Sequence, residues 1–178
     1  ELKALIAHEQ ELLNTSVLNA LFNYNTDVVW VYKGEVIDIT SKAAFNKWLS
    51  VICDQVYCDT PVYINEMVNK HKPSSAISTA RVNFLAHLLD NGSDANLGFE
   101  DGKFPPEKTI YLTLLRNTGI HRRIGREYLL DAPTQESFLP LWKACEAFLD
   151  STKEKPRKLG ELIKILRSRP FKLKQGVI

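Results

Sequence analysis

A chain of 178 residues is long enough for one sizeable core, or for two small ones sharing an interface. With 44% hydrophobic residues, 25% charged residues, eight Gly and eight Pro, its composition excludes collagen-like, low-complexity and disordered classes. The formal net charge of +2 hides an asymmetry: residues 1–115 hold 9 Lys/Arg against 14 Asp/Glu, residues 116–150 hold 5 of each, and residues 151–178 hold 9 against 2.

In chain order, Leu2, Leu5, Ile6, Leu12 and Leu13 recur at helical spacing, and Val17, Leu18, Leu21 and Phe22 extend the stripe past Asn14-Thr15-Ser16, predicting one or two helices. Val28-Val29-Trp30-Val31-Tyr32, a Lys33-Gly34 turn and the alternating Glu35–Ile39 segment predict a β-hairpin near 28–39. Thr40 or Ser41 can cap the next helix, whose apolar face is Phe45, Trp48, Leu49, Ile52 and Val56. Asp59-Thr60-Pro61 predicts a further helix start, with Ile64, Met67 and Val68 as its face. Lys72-Pro73-Ser74-Ser75 recaps the chain before the longest stripe, Ala76 to Leu89, which Asn91-Gly92 closes.

Between Asn91 and Phe104, three glycines and three acids predict a surface loop. Pro105-Pro106-Glu107 opens a helix facing inward through Ile110, Tyr111, Leu114 and Leu115 and ending at Gly119; a short extended segment is expected around Arg126 to Leu130. Ser137 opens a helix that tolerates Pro140 in its first turn, and after a basic linker the last helix runs from Leu159 to Ser168, stopped by Arg169-Pro170. The expected fold is mainly α, a helical bundle-like domain with one β-hairpin, its C-terminal part compatible with a winged-helix or helix-turn-helix module. The expected division is 1–125, helical with the hairpin, and 126–178, smaller and basic. The absence of an initial Met and the apolar ending Gly176-Val177-Ile178 suggest a piece of something longer, with the smaller part truncated.

Catalytic motifs are sparse. Gly98-Phe99-Glu100-Asp101-Gly102-Lys103 has three residues between its glycines where a phosphate loop needs four, Phe104 where a hydroxyl should hold the metal, and two acids that repel phosphate. Cys53 and Cys58, five apart, project roughly 140° from each other on a helix, so with Cys145 they read as buried free thiols. No catalytic residue, cofactor or metal is therefore expected in this fragment. The densest basic cluster is Arg116, His121, Arg122, Arg123 and Arg126; a second set, Arg157, Lys158, Lys164, Arg167 and Arg169, lies in the tail. Guanidinium forks and ammonium groups at such density are candidate contacts to DNA phosphate, set against the plainer reading of solvated faces. Glu66 and Arg81 read chiefly as a lock between helices. An alternative places an enzymatic site in a cleft near Glu66, Arg81 and His121.

Tyr57-Cys58-Asp59-Thr60-Pro61, Ile64-Asn65-Glu66, Lys72-Pro73-Ser74-Ser75-Ala76 with Ala80-Arg81, Pro105-Pro106-Glu107-Lys108 with Ile110-Tyr111 and Leu114-Leu115, and Thr118-Gly119-Ile120-His121-Arg122 together resemble an internal helical region of large bacterial phage-defence P-loop ATPases, of the BREX-associated type. The resemblance covers about residues 45–125, with an echo at Arg169-Pro170-Phe171 through Gly176-Val177-Ile178. It implies a non-catalytic binding or structural module of a larger cytosolic ATPase. The implied partners are the rest of a larger polypeptide, DNA and a partner protein or subunit. No membrane contact is expected, since no apolar run nears the roughly 18 residues that cross a bilayer. With no secretory leader and three sparse cysteines, the expected location is cytoplasmic.

Overall fold

The computed structural model describes residues 1–22 and 27–178. The protein is mainly α, with six helices and two short antiparallel hairpins among the described residues. It divides into two compact units, 1–55 and 56–178. The expected boundary at 125/126 is thereby corrected: it falls between the paired strands of the second hairpin, whose ladder holds the two sides together. The charge asymmetry marks a change of surface, not of fold.

In the first unit, α1 (Leu2–Phe22) is one continuous helix, so Asn14-Thr15-Ser16 does not break it. None of its residues is buried, and Leu2, Leu5, Ile6, Leu12, Leu13, Val17 and Leu18 are exposed. The expected hairpin is present as β1 (Trp30–Tyr32) and β2 (Glu35–Ile37), in the register Trp30↔Ile37 and Tyr32↔Glu35. Ser41 caps α2 (Lys42–Val56), its Oγ accepting from the Ala44 amide at 3.1 Å. The rings of Phe22, Trp30 and Phe45 meet at 4.9–5.9 Å between centroids.

The second unit carries the larger core. Ser74 caps α3 (Ser75–Asp90), accepting from the Ile77 amide at 3.4 Å, and the helix buries Ile77, Ala80 and Phe84. Against this face pack Ile110 and Tyr111 of α4 (Pro106–Tyr111) and Leu115 of the wider turn Leu112–Arg116 that continues it. In that turn the Asn117 amide reaches back five residues to the Leu112 carbonyl. Proline supplies the start of α4, where no amide hydrogen is required.

Two expectations fail here. Residues 57–74 form no helix. The Asn65 side chain accepts from the Met67 and Val68 amides and donates to Thr113 Oγ1, closing a turn that competes with helical bonding. The loop after α3 is anchored: Asn96 and Leu97 take left-handed backbone angles, and Leu97 (fully buried) and Phe99 enter the core. The extended segment expected around Arg126 to Leu130 is present as β4 (Glu127–Leu130), and it pairs with β3 (His121–Ile124) in a second hairpin. Gly119 leads into it at φ +77°, where an added Cβ would lie 2.1 Å from Thr134 Oγ1.

A single turn at 136–138 leads into α5 (Leu139–Ser151), and α6 (Leu159–Arg167) follows after the linker. Leu166, Phe171 and Leu173 make a second small core with Leu141, Ala144, Cys145, Leu162 and Ile178. The final segment then returns to residues 60–70. Thr60 Oγ1 donates to the Phe171 carbonyl at 2.7 Å, and the Gly176 amide to Lys70 at 2.9 Å. At Gly176 any Cβ would lie 1.8 Å from the Val68 carbonyl oxygen, so this approach requires glycine. Cys53 and Cys58 are exposed and only Cys145 is partly buried, which corrects the expectation of buried thiols. Burial pushes the Cys145 thiol above its ordinary pKa.

Candidate nucleic-acid interface

The ten basic residues singled out by sequence separate into structural and available groups. His121 is 2% exposed. Its Nε2 lies 3.0 Å from the Gly92 carbonyl, which can only accept, so Nε2 carries the proton. In the neutral ring Nδ1 then accepts from the Tyr111 hydroxyl at 3.0 Å. The Tyr111 and Tyr128 rings flank the imidazole, and burial raises the Tyr111 pKa. His121 is a satisfied core residue and cannot reach a phosphate.

Arg122 is also committed. One guanidinium nitrogen donates to the Gly119 and Ala132 carbonyls and the other pairs with Asp131, which clamps the base of the hairpin. Arg157 bridges two helices: Nε and Nη2 donate to Glu161 Oε2 at 3.0 and 2.9 Å, and Nη1 to Ser151 Oγ at 2.8 Å. Its guanidinium lies 4.4 Å from the centre of the Phe148 ring. These three were read as phosphate contacts because composition cannot distinguish a free cation from one spent on its own backbone.

The other seven are exposed. Arg116 donates to Asn96 Oδ1 at 3.0 Å, and Arg123 to the Gly125 carbonyl at 3.3 Å beside Arg126 at the hairpin tip. Lys158, Lys164 and Arg167 belong to α6 and its cap, and Arg169 follows. None of the seven pairs with a carboxylate at ion-pair distance among the described residues. The helix that carries the second set forms for local reasons. Glu161 Oε1 accepts from the Lys158 amide at 3.1 Å, satisfying one of the free donors of the first turn. That bond, then Arg157, holds the Glu161 carboxyl below its ordinary pKa. Leu162 and Leu166 pack with Leu141, Ala144 and Cys145 of α5, while Lys158, Lys164 and Arg167 are exposed.

No family model, curated protein or solved structure matches this chain. Among the described residues no three His, Cys, Asp or Glu side chains converge as metal ligands, and no helix is long and apolar enough to cross a membrane.

Glu66, Arg81 and His121 do not assemble one cleft. Glu66 is exposed, His121 is sealed, and Arg81 has no ion pair with Glu66 or any other acid among the described residues. Arg81 lines an open groove of about 360 Å³ with Ile163, Arg167, Gln175 and Ile178. From the sequence Arg81 and Glu66 read as a lock between helices, because a polar group near an apolar face more often joins helices than moves protons; nothing local signals that residues of α6 line the same groove.

Lys108 is a residue the sequence did not flag. Though 4% exposed, it has no carboxylate partner; its Nζ donates to the Glu100 carbonyl at 2.6 Å and lies 4.7 Å from the centre of the Phe104 ring. It fastens the loop after α3 to α4 and is a structural cation.

Proposed function

We propose that this chain is a non-catalytic module of a larger ATPase of the phage-defence type it resembles, and that it holds DNA through backbone phosphates. The observation that carries the reading is the run Lys158, Lys164, Arg167 and Arg169, four exposed cations without carboxylate partners on one helix and its flanks. Cations that bond to no protein group keep their donors for a polyanion, and Lys and Arg so arranged bind phosphate without reading bases. Arg123 and Arg126 at the hairpin tip form a second exposed pair in the same unit.

The reading requires no covalent chemistry from these residues. A mobility-shift titration with a duplex of about 20 base pairs tests it. The wild-type chain is expected to retard the duplex at low salt, and the quadruple variant K158Q/K164Q/R167Q/R169Q to lose the shift while melting at the same temperature. Equal retardation by both proteins overturns the assignment.

A further inference from the structure

The groove between α3 and α6 contains an arrangement that the tail alone does not explain. Arg81 is the one cation of α3, and it faces the same space as Arg167 of α6, with the Gln175 amide beside them and Ile163 and Ile178 as apolar walls. Neither guanidinium has a hydrogen-bond or ion-pair partner among the described residues. Two like charges lining one space repel, and the apolar walls weaken the solvent screening that would relieve them. An anion between them reverses the sign of that interaction. Guanidinium forks match the paired oxygens of a phosphate, and an amide N–H adds a further donor. A volume of about 360 Å³ admits a phosphate with the sugar attached to it.

We infer that the Arg81–Arg167 groove is a phosphate-ester site, occupied by a backbone phosphate of bound DNA. The inference rests on the DNA-binding reading and extends it to a residue on α3. The same chemistry would accept the phosphates of a free nucleotide, so the test includes both sources.

Fluorescence anisotropy of a labelled duplex is measured across a KCl series for wild type, R81Q, R81K, R167Q and the control K153Q, whose lysine is occupied by Asp150 outside the groove. ATP binding to each protein is followed separately by ³¹P line broadening. R81Q and R167Q are each expected to bind the duplex about three- to ten-fold more weakly near 100 mM KCl, and to lower the log-log salt slope by about 0.9. R81K keeps the slope but not the full affinity, because it keeps the charge and loses the fork; K153Q matches wild type. Duplex binding unchanged in R81Q and R167Q, with ATP broadening lost in both, keeps the site and assigns it to a free nucleotide. If the wild type binds the duplex while R81Q and R167Q behave like it toward both ligands, the groove is not a phosphate site and the α6 surface stands alone. A wild type that binds no duplex overturns the DNA reading, and the groove then stands or falls on the ATP arm. Arg167 is exposed and makes no hydrogen bond or ion pair among the described residues, so R167Q keeps the test decisive if R81Q folds poorly.

Discussion

His121 shows how a residue type can point to one chemistry and its surroundings to another. Its imidazole donates to Gly92 and accepts from Tyr111, so it ties the ends of α3 and α4 to the start of the second hairpin. His121→Phe keeps the ring but leaves a buried hydroxyl and a carbonyl without partners, at an expected cost of about 2–3 kcal/mol by urea unfolding. A change below about 0.5 kcal/mol would contradict the structural role. The sequence places this histidine beside three arginines, and only the depth of the hairpin base in the core reveals the difference. Arg122 and Arg157 were illegible for a related reason: their partners are carbonyls, a hydroxyl and nearby acids that the linear pattern does not single out. Arg123, Arg126, Lys158, Lys164 and Arg169 stay on the surface, where a charge keeps its hydration, and none of them has an acid within ion-pair distance among the described residues.

At the level of elements, local signals worked where the governing interaction is local. Ser41 and Ser74 were readable as caps, Pro106 as a first helical position and the β1–β2 turn as a hairpin, since each depends on neighbours within four residues. The absent helix at 57–74 depends on Asn65 meeting Thr113, 48 residues away, and the buried loop depends on Leu97 finding a core made by other segments. Helix α6 bears the most direct pH dependence. Glu161 is held below its ordinary pKa by the Lys158 amide and Arg157, so its folded value lies under the unfolded one. Its contribution is therefore complete above the unfolded value of about 4.3 and is lost as pH falls through the lower folded value. The carboxyl resonance of Glu161, followed by NMR, is expected to titrate with a midpoint below that of a model peptide, with faster amide exchange in the first turn of α6 as it protonates. A midpoint at or above the peptide value would remove the capping account.

On the scale of the whole molecule, sequence arithmetic located the basic surface but not its members. The excess of cations after residue 150 was visible from composition, whereas Arg81, from a segment rich in acids, joins that surface only because residues of α3, α6 and the final segment line one groove. The exposed apolar stripe of α1 was equally legible as a pattern and misleading as a core, since within its own unit no element buries it. What the second unit offers is a set of exposed cations with no ion-pair partner among the described residues. Salt dependence measures that property directly. Four phosphates neutralised by Lys158, Lys164, Arg167 and Arg169 predict a log-log slope of affinity against KCl of roughly −3.6 for the wild-type chain and a duplex of random sequence. A slope near zero, or no binding at about 50 mM KCl, would contradict the claim that these side chains exist to hold a polyanion.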